Sequence, residues 1–244
     1  MRIFDIHTHI LPGVDDGAGS MEEALRMLGC CVAADVQAVA LTPHCNVTGY
    51  WDNFAGAELE KAFFRLRQAA KELPVRLYSG AEVRVNERLL PLLRQGKLPT
   101  LGNSKFLLTE FPGDYPATEF TSMLDGILKE GYVPLIAHPE RYAAVVEQPK
   151  IVGPWLDMGC HLQLTGGSIS GFSGRQVRYT AEYLLKNDMV CCVASDAHDS
   201  GRRSNYLSDA YNHLTLCFGK RYADILMWEN PESICTEGGS LCSF

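Results

Sequence analysis

No stretch of this 244-residue sequence reaches the ~18 uninterrupted apolar residues of a membrane-spanning helix. Its opening, MRIFDIHTHI, has no apolar core of a secretory leader, so a soluble, cytoplasmic chain without membrane insertion is expected. Basic charge is scarce: 22 Lys+Arg against 29 Asp+Glu give a formal charge of −7. That excludes the broad positive field that captures nucleic acid, while leaving room for a local cationic pocket around one phosphate. The nine cysteines contain no C-x-x-C pair, and none has arginine six positions later. A zinc ribbon, a redox pair and a Cys-x5-Arg thiolate phosphatase are therefore all excluded. Their odd number and two adjacent pairs, Cys30/Cys31 and Cys191/Cys192, suit small core residues in a reducing compartment. No repeat, low-complexity segment or Pro/Gly/Ser linker divides the chain. One domain over residues 1–244 is expected, with 230–244 as a weakly ordered tail.

What is present suffices for a core. Core-forming residues make up 46% and charged residues 21%, and a chain this long can bury roughly 70–75% of its unfolded surface. Short apolar runs predict strands at 2–6, 38–41, 75–78, 105–108, 133–136, 162–164 and 190–193. Amphipathic stretches predict helices at 21–34, 56–72, 119–130, 175–186 and 205–216. The first is introduced by Ser20 with Glu23 three residues on, a capping box that satisfies orphan amides. Apolar strands alternating with helices imply parallel pairing, either an open doubly wound sheet or a closed barrel.

The polar residues collect where these strands end. The segments are Asp5-Ile6-His7-Thr8-His9 followed by Asp15-Asp16-Gly17, Thr42-Pro43-His44, Gly80-Ala81-Glu82, Glu110-Phe111-Pro112, His138-Pro139-Glu140-Arg141, Gln163, and Ser195-Asp196-Ala197-His198. In a parallel barrel all of them face the C-terminal end, where active sites lie. Five of the seven histidines stand there; His161 and His213 fall inside predicted elements and read as structural. The strand period of two lets His7 and His9 grip one ion together and brings Asp196 and His198 to one side. Nine nitrogen or oxygen ligands exceed what one ion can use, so two or three ions with a bridging carboxylate are implied. Without thiolates the set suits manganese, iron or zinc. Clustered cations lower the pKa of bound water to supply hydroxide and clamp the oxygens of an in-line displacement, which matches phosphate ester hydrolysis. Arg84, Arg141, Arg202 and Arg203 lie beside ligand segments and can hold phosphoryl oxygens. The Thr165-Gly166-Gly167-Ser168 turn can offer backbone amides to the same anion.

These segments, in this order over roughly residues 3 to 205, resemble the polymerase and histidinol phosphatase (PHP) superfamily. Within it, His9-Ile-Leu-Pro-Gly-Val-Asp-Asp-Gly17 and His138-Pro-Glu-Arg-Tyr142 resemble the CpsB/CapC/YwqE-type bacterial protein-tyrosine phosphatases. The resemblance implies a distorted (βα)7 barrel with three divalent metal ions, manganese foremost, at its C-terminal face. Carried over by position, His7, His9, Glu82 and Asp196 would hold one ion, Asp16, His44 and His198 a second, and Glu110 and His138 a third, with Glu82 bridging. Arg141 matches a phosphate-binding arginine. A second follows the last metal histidine by five residues, which is Arg203, with Arg202 adjacent. The resemblance also implies a partner, the phosphotyrosine-rich tail of a bacterial tyrosine kinase controlling capsule or exopolysaccharide export. The chain departs from the family at the rim, with Asp199 where asparagine is common and Arg203-Ser204 where Arg-Pro is common. Asp199 is a candidate proton donor. The rival reading is a small-molecule phosphomonoesterase such as histidinol phosphatase, which would use the same metals behind a different pocket wall.

Overall fold

The computed structural model describes residues 1–113, 115, 117–236 and 241–242. Nine parallel strands are present among them: β1 (Ile3–Thr8), β2 (Val36–Leu41), β3 (His44–Cys45), β4 (Arg76–Ser79), β5 (Glu82–Arg84), β6 (Phe106–Glu110), β7 (Val133–Ala137), β8 (His161–Thr165) and β9 (Cys192–Ala194). The seven expected strands all appear, with ends displaced by at most two residues. The other two, β3 and β5, are short continuations of β2 and β4. Between β2 and β3 stands Pro43, which has no N–H to donate to a ladder. Between β4 and β5 stands Gly80, packed closely under Leu101, where a Cβ would lie 2.9 Å from Leu101 Cδ2 and would push that side chain aside.

Hydrogen bonding follows two ladders, β1-β2-β4 and β3-β5-β6-β7-β8-β9. Because β3 and β5 prolong β2 and β4, the ladders run into one another around a common axis. The return from β9 to β1 is made at the C-terminal ends: Asp196 N donates to His7 O at 2.9 Å and His9 N donates to Ala197 O at 2.9 Å. The parallel strands and helices follow the expected distorted (βα)7 barrel, with the strands hydrogen-bonded as two ladders rather than as one closed sheet. Helices cover it, among them α1 (Met21–Ala33), α2 (Ala57–Ala69), α3 (Leu89–Arg94), α4 (Ala117–Lys129), α5 (Ala143–Glu147), α6 (Gly153–Asp157), α7 (Gly166–Ser170), α8 (Arg175–Lys186), α9 (Leu207–Phe218) and α10 (Lys220–Asp224). Ser20 caps α1 as expected, accepting from Glu23 N at 3.2 Å.

Inside the barrel, Phe4, Ile6, Ala38, Ala40, Leu108 and Leu135 form an apolar cluster distinct from the strand–helix layer. Its N-terminal end is closed by a plug that the sequence reading placed in a weakly ordered tail. Residues Asn230–Cys235 form α11, preceded by a π-helical turn over Ile225–Glu229. Trp228, Ile234 and Cys235 pack into the barrel cluster, and Asn230 Nδ2 donates to Cys191 O at 2.9 Å. The plug presses so closely on Gly102 (φ 58°) that a Cβ there would lie 2.1 Å from Cys235 O. Burying each large apolar side chain of the plug contributes about 1.5–3 kcal/mol, which is why this segment is ordered. Residues 237–240 and 243–244 of the expected tail lie outside the described residues.

Candidate metal centre

With its N-terminal end plugged, the barrel gathers its buried polar groups at the C-terminal end. At the end of β1, His7 and His9 bring their Nε2 atoms to 3.3 Å of each other. Each ring is oriented by an acceptor on its far side. His7 Nδ1 faces Gln163 Oε1 at 2.8 Å, and the Gln163 amide is itself fixed by donation to Leu164 O at 2.7 Å. His9 Nδ1 faces Asp15 Oδ2 at 2.7 Å, and His198 Nδ1 faces the Asp196 carbonyl at 3.0 Å. Each acceptor places the ring proton on Nδ1 and leaves the Nε2 lone pair directed to the centre, the usual preparation of a metal-binding histidine. Burial, reinforced by the His9 charge, pushes His198 down to about 4, so this ring is neutral and free to coordinate.

Three overlapping groups of side chains result: His7, His9, Glu82 and Asp196; His9, Asp16, His44 and His198; and His44, Glu82 and Glu110. Glu82 Oε2 lies 3.3 Å from His7 Nε2, 3.4 Å from His9 Nε2 and 3.0 Å from His44 Nδ1. Its other oxygen receives His138 Nε2 at 2.9 Å. All nine candidate ligands thus converge, with His138 meeting the cluster through Glu82 and with His44 beside Glu110. Five buried atoms of these ligands, His44 Nδ1, Glu82 Oε2, Glu110 Oε2, His138 Nδ1 and His198 Nε2, have no well-aligned hydrogen-bond partner among the described residues. Buried polar atoms are rarely left unpaired, since each costs about 1–3 kcal/mol. Imidazole and carboxylate atoms lying within 4.8 Å of one another in each group fit divalent cations.

Burial opposes charging of His7 and His9, but Glu82, Asp15 and Asp196 outweigh it and hold both rings above their usual range, so that without cations protons take the positions that ions would hold. Burial opposes ionisation of Asp196, but the His9 hydrogen bond and the charges of His7, His138 and Arg141 outweigh it and hold the carboxyl well below its usual range. Glu82 behaves likewise, burial being overcome by His7, His138 and His44. Glu110, pushed up by burial and by the Glu82 charge, is the carboxyl most in need of a cation.

The pairing of Asp196 with His198 does not come from strand alternation, which corrects the expectation. Strand β9 ends at Ala194, and Asp196 adopts a left-handed backbone (φ 57°). The two side chains therefore fall into different groups on either side of His9. His138 is also left-handed (φ 37°), and such strain in non-glycine residues collects at functional sites.

The arginines separate. Arg141 donates to Asp196 Oδ2 at 2.6 Å and to Thr165 Oγ1 at 3.0 Å, its side chain 32% exposed. Arg203 approaches Asp16 Oδ2 at 3.7 Å and Asp196 Oδ2 at 3.9 Å. Arg84 pairs with Glu110 at 3.0 Å on the rim. The exposed Arg202 side chain makes no ion pair among the described residues; only its carbonyl is engaged, by Tyr206 Oη at 2.8 Å. Asp199 accepts from the amides of Gly201 at 2.7 Å and Arg203 at 3.1 Å, so its carboxylate shapes the loop that presents Arg203. The expected turn at Thr165 to Ser168 enters the short α7, and the Thr165 amide is already bound to Glu140 Oε1 at 3.0 Å. His161 opens β8 at the far end of the barrel and His213 stands on α9 beside Cys217, both away from the centre.

Sequence reasoning placed Asp15 and Gln163 at strand ends without a role and missed Trp51. Asp15 and Gln163 orient ligands, and Trp51 stacks its ring on His44 with centroids 5.3 Å apart. Asp15 was readable beside Asp16 and Gln163 at a strand end; Trp51 had no signal in spacing.

Parallel strands wrapped by helices, with overlapping His/carboxylate groups able to hold metal at their C-terminal ends, define a class of metal-dependent hydrolase folds. The chain belongs to the CpsB/CapC family of capsular polysaccharide synthesis, whose model matches residues 3–236. It is 32% identical over 231 residues to tyrosine-protein phosphatase YwqE of Bacillus subtilis, covering 94% of this chain and 90% of that one. It is 32% identical over 239 residues to tyrosine-protein phosphatase CpsB of Streptococcus pneumoniae, covering 95% and 98%. A crystal structure from work on YwqE and CpsB, described as metal-dependent tyrosine phosphatases, superposes with a TM-score of 0.91 at 29% identity, covering 100% of this chain and 97% of that one. A lactonase from Listeria monocytogenes shares the fold at 10% identity and a TM-score of 0.60.

Proposed function

We propose that this chain is a metal-dependent protein-tyrosine phosphatase acting in the cytoplasm on the phosphotyrosine tail of a bacterial tyrosine kinase that controls capsule or exopolysaccharide synthesis. The reading treats residues 1–244 as one PHP domain holding three divalent ions, manganese foremost, on His7, His9, Asp16, His44, Glu82, Glu110, His138, Asp196 and His198. The observation that carries it is the set of five buried ligand atoms without a well-aligned partner among the described residues, in and beside overlapping His/carboxylate groups flanked by Arg141 and Arg203. Bound divalent ions supply a water of lowered pKa and positive charge toward phosphoryl oxygens.

The chain's own residues do the rest. Gln163, Asp15 and the Asp196 carbonyl hold His7, His9 and His198 in the ligating tautomer. Arg141, anchored by Asp196 and Thr165, keeps an exposed edge for non-bridging phosphoryl oxygens, and Arg203 approaches from the neighbouring loop. Arg84 stands at the rim beside Glu110 for the same anion or the peptide around it. A tyrosyl ester leaves as a phenolate of pKa ~10, far easier to expel than an alkoxide, so no strong dedicated acid is needed. Asp199, engaged by two amides, is then free to act only as a loop-shaping residue. The test is phosphate release from a phosphotyrosyl peptide and from histidinol phosphate, at matched concentrations with manganese. Preference for the peptide supports the reading; preference for histidinol phosphate replaces it with small-molecule metabolism at the same metals.

A further inference from the structure

The loop after β3 carries an aromatic surface that metal binding does not use. Val47 and Trp51 form an antiparallel bridge, Val47 N donating to Trp51 O at 2.8 Å and Trp51 N to Val47 O at 3.0 Å. Asn46 N and Cys45 Sγ both donate to Asp52 O, at 3.1 and 3.0 Å. Asn53 Nδ2 ties the loop to Val14 O at 2.9 Å and to His44 O at 2.8 Å. The loop is thus pinned both to β3 and to the segment that carries Asp15 and Asp16. It holds the Trp51 indole nearly parallel to the His44 imidazole, 12° between planes and 5.3 Å between centroids. Tyr50, 79% exposed, stands beside it with its ring 5.8 Å away.

An indole has a single N–H donor and no lone pair for a cation, so Trp51 is no metal ligand. Nor is it core, because it is only half-buried and its neighbour is in water. Tyr50 and Trp51 together form a contiguous exposed aromatic surface held rigidly against His44, and contiguous apolar surface of this kind marks ligand sites. The ring of a phosphorylated phenol lies one ester oxygen from phosphorus. Trp51 stands on the ring of His44, so a phosphoryl group held beside His44 presents its aryl ring to the same rim, and aromatic pairs attract at centroid separations of about 4.5–7 Å. An alkyl phosphate has no such face to offer.

We propose that Trp51 is the aryl wall of this site, packing against the ring of a phosphorylated aromatic side chain and selecting esters of phenols over esters of alkanols. The assignment rests on the phosphatase reading and names the residue that sets its substrate class. It is tested on the manganese-loaded full chain as wild type, Trp51→Ala and Trp51→Phe. The readouts are the ratio of kcat/KM for phosphotyrosyl and phosphoseryl peptides of one sequence, calorimetric affinity for phenylphosphonate and methylphosphonate, and metal content.

The expected result for Trp51→Ala is a fall of about three- to tenfold in the phosphotyrosyl preference, carried mainly by KM, with recovery in Trp51→Phe. Phenylphosphonate affinity falls by the same factor relative to methylphosphonate, and metal content stays at the wild-type level. An unchanged ratio overturns the assignment. So does an equal loss on both substrates accompanied by loss of metal, which would make the indole a prop for His44. So does a loss of preference in Phe172→Ala, which removes the exposed ring stacked on Tyr206 at 4.3 Å, while Trp51→Ala keeps it. A wild-type chain that binds metal but releases no phosphate from the tyrosyl peptide overturns the phosphatase reading, and the phosphonate affinities then still decide the wall.

Discussion

Asp15 Oδ2 accepts both from His9 Nδ1, at 2.7 Å, and from the His44 backbone amide, at 3.0 Å. One carboxylate thereby orients ligands at the ends of two strands, and its other oxygen closes the Asp15–Gly17 turn at 3.0 Å. Burial opposes its ionisation, but the His9 hydrogen bond and charge hold it ionised below the usual range. Asp15→Asn keeps the volume and loses the charge that fixes the His9 tautomer. The expected outcome is a fall of about 10–100-fold in manganese affinity with the fold intact, read by titrating the chelated protein and following bound metal.

Removing the ions leaves buried carboxylates facing one another. Chelation should therefore lower the melting temperature as well as stop turnover, because each ion present at 100 times its Kd adds about 2.7 kcal/mol to the folded state. Scanning calorimetry with and without chelator measures this, and identical melting curves would count against resident ions.

The two adjacent arginines should behave differently. Arg203 faces Asp16 and Asp196, whereas the Arg202 side chain points into solvent. Arg203→Ala should lower kcat/KM on a phosphotyrosyl peptide by about 10–100-fold, the worth of one charge-assisted hydrogen bond, and Arg202→Ala by less than about threefold. Steady-state kinetics on the two single variants separates them.

The plug predicts a stability effect remote from the chemistry. Ile234 is fully buried in the barrel interior, so Ile234→Ala should destabilise by about 2–5 kcal/mol while leaving turnover per folded molecule unchanged. Urea unfolding monitored alongside activity distinguishes the two.

Asp5 predicts a pH dependence in the chelated protein. Burial raises its folded-state pKa to about 6, against which hydrogen bonds from Ser195 and His7 act only in part. The unfolded chain therefore releases this proton first as pH rises. The stability tied to the proton is full below about pH 4 and is lost as pH rises through about 6, a change of order 3 kcal/mol. Denaturant melts of the chelated chain between pH 4 and 7 should show the slope, and Asp5→Asn should flatten it.

Much of this was legible before any coordinates. The seven expected strands announce themselves because each contains or borders a short, largely apolar run, and His7, His9, Glu82 and Asp196 announce themselves by standing where such runs stop. What was hidden is what no local pattern encodes. A strand of two residues, such as β3, is too short for a period. The plug reads as a tail because the segment runs into Glu237-Gly-Gly-Ser, and only the barrel's open end explains why Ile234 and Cys235 turn inward. The Gln163 partnership with His7 spans 156 residues, and Trp51 gains meaning only from the imidazole it covers.

The central claim is that the overlapping groups hold ions that drive hydrolysis of phosphotyrosine. The most direct measurement strips the protein with chelator, returns manganese in increments, and follows phosphate release from a phosphotyrosyl peptide against ions bound per chain. The account predicts no turnover in the stripped protein, a rise with loading, and a plateau at about two to three ions per chain. Undiminished turnover without bound metal, or full loading with no phosphate released, would contradict it.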